Sequence, residues 1–548
     1  MKKMALFSTA FILMLLGCQN NSKNQINSMD SPFLWEAANI YFLLTDRFNN
    51  ADTSNDINFN RTKETSVLRG FEGGDIKGIT QKIEQGYFTD LGVNAIWFTP
   101  VVEQIHDSTD EGTGNTYAYH GYWAKDWTVL DPNFGTQEDL KDLVDKAHQR
   151  GIRVILDVVV NHTGPVTEMD PVWPSDWVRT GPPCDFSSYD GTTACTLVKN
   201  LPDVITENED QAVELPELLV EKWMSEGRYD QEVKELDEFF TRTNYAKTPS
   251  AYIVKWLTDY VKELGVDGFR VDTVKHASEW VWSLLGDEAQ YSFDLWKQNH
   301  PDQVLDDNLF YMVGEVYGYG ISSGRAYSFG DQTVDYYKHG FNSLINFEIK
   351  YDAAQRSYEE IFSKYDGILN SQLKGKSVLN YLTSHDDGAP FDRERSNGYK
   401  AANVLLLTPG ASQIYYGDES NRPLMVEGAN GDANLRSNMN WEAIANDASV
   451  QANLFHWQKL GQFRAKHPAV GAGRHKMISE SPYSFSRILD NDKVVVGLDL
   501  STGVKTISVG SVFEEGETLT DDYSGSTAVV SNGSVTIDSP FTIVLLHN

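Results

Sequence analysis

The chain has 548 residues, 41% hydrophobic and 12% aromatic, which is too long for one ordinary domain and rich enough for a large buried core. Its formal charge of −32 argues against a nucleic-acid partner, because a polyanion would be repelled. Thirteen tryptophans and twenty-six tyrosines exceed the needs of a core and suit stacking on flat ligands, sugars among them.

At the start of the chain, Lys2 and Lys3 precede the apolar run MALFSTAFILMLLG, long enough for a signal segment and short for a membrane span. The run ends in LLGC, so Cys18 sits where a bacterial lipobox carries its lipidated cysteine. Residues 1–18 are therefore expected to be a lipoprotein signal and lipobox, and the polar residues 19–34 a flexible tether. Export with a lipid anchor in the bacterial envelope follows, and Gln19 is compatible with the outer membrane. The remaining cysteines, Cys184 and Cys195, lie close together without histidines at metal-ligand spacing, and are expected to form one structural disulfide.

Three stretches then share one grammar of amphipathic helix, glycine and apolar strand. In ITQKIEQGYFTDLGVNAIWFTP, Ile79, Ile83, Phe88 and Leu91 fall on one helical face, Gly92 stops the helix and VNAIWF forms a strand. EDLKDLVDKAHQRGIRVILDVVVNH repeats this with Leu140, Leu143, Val144 and Ala147 before Gly151. SAYIVKWLTDYVKELGVDGFRVD does so with Gly265, and AANVLLLTPGASQIYYGDE is a looser fourth copy. Such alternation means parallel strands covered by helices. Without a glycine-rich dinucleotide fingerprint, a (β/α)8 TIM barrel over residues 35–162 and 249–467 is preferred to a doubly wound sheet. Residues 163–248, rich in Pro, Asp and Glu, are expected to be an irregular insertion after the third strand. From 468 to 548 the helical period vanishes, and short runs such as KVVVGLDLS and FTIVLLHN predict a C-terminal antiparallel β domain.

Barrel ligands bind at the carboxyl ends of the strands, so charge there points to chemistry. DGFRVDTVKH places Arg270 and Asp272 on one face of a strand, and an adjacent guanidinium favours the ionised carboxylate that a nucleophile must be. Glu315 follows the apolar run of FYMVGEV. His385, Asp386 and Asp387 end VLNYLTSHDD, while Asp157, Asn161 and His162 end RVILDVVVNH. Acids at several strand ends supply the proton donor and opposing carboxylate that glycoside hydrolysis requires.

In family order, DVVVNH, GFRVDTVKH, GEVY and SHDD, with YHGYWAKDW and LPDV, resemble the motifs of glycoside hydrolase family 13, the α-amylase family. GTQEDLKDLVDKAHQRGIRVILDVVVNHTG and DYYKHGFNSLINFE are most similar to the periplasmic maltodextrin-processing α-amylases of Gram-negative bacteria. The resemblance implies Asp272 as nucleophile, Glu315 as general acid and base, and Asp386 as transition-state stabiliser. It implies Arg270, His162 and His385 around the sugar, Tyr122 as the platform beneath it, and Lys275 and His276 on the leaving-group side. The insertion corresponds to the family's B domain, and Asn161, Asp203 and the backbone carbonyl of His276 match ligand positions for Ca²⁺. Asp157 is expected to be a structural partner beneath the site. Chloride is not expected, because Asp387 adds negative charge where chloride-activated relatives carry asparagine. LPDV lies nearer the α-1,4-cleaving amylases than the α-1,6 or cyclodextrin specialists.

The implied function is retaining, endo-acting α-amylase action on starch, glycogen or maltodextrins, by a monomer. A 4-α-glucanotransferase would keep the same acids and change the acceptor. A catalytically inactive starch-binding lipoprotein would need the aromatics without the acids.

Overall fold

A computed structural model describes residues 32–548. The signal run, the lipobox cysteine Cys18 and the tether as far as residue 31 lie outside the described residues. Eight parallel strands close into a barrel: β1 Asn39–Leu43, β2 Ala95–Phe98, β3 Arg153–Val158, β4 Gly268–Val271, β5 Tyr311–Gly314, β6 Ser343–Asn346, β7 Ser377–Tyr381 and β8 Ala411–Tyr415. Every residue of these strands is buried, as expected when helices cover the outside and side chains fill the inside.

The helices follow the expected grammar with two departures. Helix α1, Ile76–Glu84, ends early, because Gly86 adopts φ 82° and a separate turn carries Phe88 into the core. Helix α2, Gln137–His148, starts from a Thr136–Asp139 capping box and buries Leu140, Leu143, Val144 and Ala147. The insertion is not irregular throughout, since it contains helices α3, Glu217–Glu226, and α4, Tyr229–Thr243. Leu236, Phe239 and Phe240 give α4 a buried face whose spacing was legible but lay hidden among acidic residues.

Helix α5, Pro249–Leu264, opens on proline and stops at Gly265, whose φ of 75° favours glycine. A Cβ there would meet the ring of Trp296 at 2.0 Å, so closeness to α6, Glu279–Asn299, demands glycine as well. The β5-to-β6 connection has no α-helix; two 3₁₀ turns and a two-stranded ribbon span it. Helices α7, Tyr358–Leu369, and α8, Gly398–Leu407, follow β6 and β7, and α9, Ala448–Lys466, closes the barrel's chain.

The C-terminal domain has strands β9 Arg474–Glu480, β10 Tyr483–Leu489, β11 Asp492–Gly497, β12 Gly503–Ser508, β13 Thr518–Asp521, β14 Thr527–Val529, β15 Ser534–Ser539 and β16 Val544–His547. Six form an antiparallel sheet in the order β9-β10-β11-β16-β13-β14, and β12 pairs with β15. Val495, Leu519 and Leu546 share one buried cluster with Ile507, Val535 and Ile537. Arg487, fully buried, donates to the carbonyls of Val470 and Leu407 and joins this domain to the barrel's last turns.

Candidate active site

Strand register brings the sequence-predicted acids together. Arg270 of β4 lies in register with Asp157 of β3, and Val271 with Gly314 of β5. One residue further, Asp272 and Glu315 therefore leave neighbouring strands side by side. The Arg270 guanidinium joins them: Nη1 lies 2.7 Å from Asp272 and 3.0 Å from Asp157, and Nη2 3.1 Å from Glu315. Thr273, with φ 47°, turns its N–H onto Glu315 Oε2 at 3.0 Å. This backbone conformation is uncommon for a β-branched residue, and here it aims a donor into the site.

Asp157 lies beneath the cluster and also accepts from Trp97 Nε1 at 2.9 Å and Tyr122 OH at 2.7 Å. It thereby holds both the guanidinium and the tyrosine ring. Tyr122 stacks on His385, with centroids 5.2 Å apart and planes at 14°, and the Tyr122 carbonyl contacts His162 Nε2 at 3.0 Å. Asp386, 36% exposed at its side chain, accepts from Ser384 at 3.0 Å and lies 3.8 Å from His385.

The environment separates the proton affinities of these groups. Burial, opposed by Arg270 and reinforced by Asp272 and Asp386, pushes Glu315 well above the ordinary glutamate range. For Asp386, whose side chain is partly open to solvent, partial desolvation acts upward, but His385, Arg270 and Arg436 outweigh it and hold the carboxyl below its ordinary range. Burial lowers His162, and pushes His385 and His276 down to about 4, so these rings are neutral near pH 7. An acid that holds its proton more tightly and another that sheds it more readily give one site both a proton donor and a standing negative charge.

Lys275 donates to the Tyr317 carbonyl at 3.1 Å and Tyr327 OH at 3.3 Å at the rim. His276 is buried, and its Nδ1 contacts the Thr192 carbonyl at 3.0 Å. Thr192 belongs to the loop closed by the Cys184–Cys195 disulfide, which also carries Phe186 beside His276 and under Lys275. Sequence reading treated this loop only as structural, yet it forms part of the wall beside the site. It also passed over Trp97 and Arg436, whose contacts no local spacing reveals; Arg436 donates to the His385 carbonyl at 2.9 Å.

Asp387 is not a free negative charge. It is buried in an ion pair with Lys350 and accepts from Tyr381 OH at 2.6 Å. Lys350 offsets the Asp387 charge, so Asp387 does not present a bare anion to repel a halide.

Asn161 and Asp203 meet where the insertion joins β3. The side-chain amide of Asn161 lies 3.3 Å from Asp203 Oδ1, while Asn161 Oδ1 and Asp203 Oδ2 are buried without a hydrogen-bond partner. Burial pushes the Asp203 carboxyl up to about 8. Two orphaned oxygens, one on an acid short of positive charge, fit a hard cation.

Comparison with known proteins identifies the family. The alpha-amylase catalytic-domain model matches residues 42–468. The chain is 37% identical over 528 residues to the periplasmic alpha-amylase of Escherichia coli K12, covering 85% of this chain and 72% of that protein. It is 28% identical over 524 residues to a cyclomaltodextrin glucanotransferase of Geobacillus stearothermophilus, covering 90% of this chain and 65% of that one. A crystal structure of an Anoxybacillus alpha-amylase matches the fold with a TM-score of 0.64 at 24% identity, covering 94% of this chain and 99% of that one. The chain belongs to the alpha-amylase family of glycoside hydrolases.

Proposed function

We propose that this chain is a retaining, endo-acting α-amylase that hydrolyses α-1,4-glucosidic bonds in starch, glycogen or maltodextrins. The observation that carries this reading is the single Arg270 fork shared by Asp272 and Glu315 on register-matched strands. Neighbouring strands lie about 4.8 Å apart. That spacing supports carboxyls in the class of about 5–5.5 Å, where one acts as a direct nucleophile, rather than about 6.5–9.5 Å.

Asp272 attacks C1 of the bound glucosyl unit while Glu315 gives its proton to the glycosidic oxygen. The C1–O bond breaks, the shortened glucan leaves as an alcohol, and a glucosyl ester of Asp272 remains. Water then attacks C1, Glu315 takes its proton, and Asp272 is released as carboxylate. Two inversions leave the product in the α configuration. Asp386, held as an anion, stabilises the oxocarbenium-like charge. Neutral His162 and His385 hydrogen-bond sugar hydroxyls, and Tyr122 stacks beneath the ring.

Asn161, Asp203 and the His276 carbonyl would hold Ca²⁺, an ion that supplies fixed positive charge between the insertion and the barrel. The leader pattern around Cys18, together with a periplasmic relative, supports export and a lipid anchor. The test is direct. Protein lacking the first thirty residues bleaches starch–iodine colour and releases α-anomeric products, and Asp272→Asn abolishes both. No hydrolysis of any α-glucan defeats the proposal. The glucanotransferase relative favours a second reading, transfer to another sugar. A time course on maltoheptaose separates the two, since transfer yields longer chains and hydrolysis only shorter ones.

A further inference from the structure

A second group of polar side chains lies far along the chain from the acids, where α9 meets the C-terminal sheet. His467 follows α9 directly, Asp522 follows β13, and His547 ends β16. One ligand atom from each lies within 4.8 Å of the others. Neither histidine serves the sugar site, and nothing in the proposed chemistry needs them.

The hydrogen bonds define which nitrogen each ring offers. His467 Nδ1 lies 2.8 Å from Asp492 Oδ1, and His547 Nδ1 lies 2.9 Å from the Asn548 carbonyl. Asp492 behind Nδ1 favours the His467 tautomer whose Nε2 is left open. His547 Nε2 lies between Asp522 Oδ1 and the Lys466 ammonium, and must give up any proton it shares with Asp522 to bind a metal. His467 Nε2 is buried without a hydrogen-bond partner and points to Asp522 Oδ2 at 3.8 Å. His547 Nε2 lies 3.0 Å from Asp522 Oδ1. A carboxylate behind a histidine, as Asp492 stands behind His467, is the arrangement that orients an imidazole toward a metal.

A positive charge already sits against this group. Lys466 Nζ lies 2.9 Å from His547 Nε2 and 3.3 Å from Asp522 Oδ2. Its side chain is 53% exposed and is free to swing into solvent. The ammonium thus occupies the space between the carboxylate and the imidazole.

We propose that His467, Asp522 and His547 bind one divalent transition-metal ion of the zinc class and so clamp the last barrel helix to the C-terminal sheet. Two imidazoles and one carboxylate, with a fourth position left for water, suit zinc, whereas calcium prefers oxygen donors. Bonds of about 2.0–2.2 Å require the three ligands to draw together slightly and Lys466 to move aside.

The experiment titrates the full-length chain, stripped of transition metals and kept in excess calcium, with zinc by calorimetry, and follows thermal melting in parallel. One equivalent of zinc binds and raises the melting temperature. His547→Gln, at the end of β16, loses at least tenfold in affinity. Asp492→Asn, acting through His467, weakens binding about 10- to 100-fold. Lys466→Ala tightens binding, because it removes the competing charge. Cobalt in place of zinc gives the visible absorption of a tetrahedral site, and His547→Gln loses that signal. Zinc binding that His547→Gln leaves intact, or a melting temperature indifferent to zinc, overturns the proposal and leaves a His547–Asp522 ion pair alone.

Discussion

Replacing Arg270 with methionine keeps much of its volume and removes the charge that three buried carboxylates share. Its contacts with Asp157, Asp272 and Glu315 lie between 2.7 and 3.1 Å. A unit charge pair about 4 Å apart is worth about 4 kcal/mol at an effective dielectric of about 20. Desolvation offsets part of this, and removing one partner of a buried pair costs about 3–5 kcal/mol. If the same loss is felt in the transition state, kcat/KM falls about 10²- to 10⁴-fold.

The pH dependence gives an independent sign. Glu315 must be protonated to act as the acid, so activity falls as pH rises through its pKa. Arg270 pulls that value down, and its removal moves the alkaline limb of kcat/KM to higher pH. Stability follows the same logic. Burial raises Asp157 and Glu315 above their unfolded values, against Arg270, so the stability linked to their protons is complete below the ordinary carboxylate range. It declines as pH rises toward the raised folded values. Arg270→Met raises both groups further, so its melting deficit widens on going from pH 5 to pH 8. Initial rates on an end-blocked nitrophenyl maltoheptaoside, with melts across the same pH range, measure all three effects. A kcat/KM within tenfold of the parent, or an alkaline limb that stays or moves toward acid, refutes the role assigned to Arg270.

Two other expectations concern the frame around the site. If Asn161 and Asp203 hold calcium, the ion at a hundred times its dissociation constant adds about 2.7 kcal/mol of stability. A calcium-selective chelator then lowers the parent's melting temperature and leaves Asp203→Ala unmoved; equal shifts in both proteins would place the ion elsewhere. Gly265→Ala forces a left-handed conformation on a residue whose Cβ meets the Trp296 ring at 2.0 Å. Overpacking and the backbone penalty together cost at least about 2 kcal/mol, so the melting temperature drops, and an unchanged value would mean that α5 and α6 separate without cost.

The barrel was legible because helix and strand periods alternate and the strands are mostly apolar runs rather than strict alternations, as a sheet covered on both faces requires. The acids were legible because each follows a hydrophobic run, where a carboxylate has no local structural purpose. Helix α4 was obscured by its acidic residues, although Leu236, Phe239 and Phe240 keep helical spacing. The break at Gly86 was missed because Gln85 and Gly86 interrupt a pattern that remains periodic by residue type. The Lys350 partner of Asp387 lies 37 residues away in sequence, and Trp97 reaches Asp157 across 60. Such pairings are set by barrel closure and leave no trace in local spacing. The role of the disulfide loop was hidden similarly, since His276 and Thr192 stand 84 residues apart.

The geometry of the site nevertheless reduces to a statement about register. Because Val271 pairs with Gly314, the next residue on each strand emerges at the same height, and both happen to be acids. Because Arg270 pairs with Asp157, the guanidinium stays in the layer below and reaches upward to both. A slip of one residue between β4 and β5 would turn one carboxylate to the other face and leave the arginine with a single partner above it. The barrel's closure therefore does more than support the site. It fixes which carboxyls share one cation, and so places an acid that burial keeps protonated beside a second carboxyl on the same guanidinium.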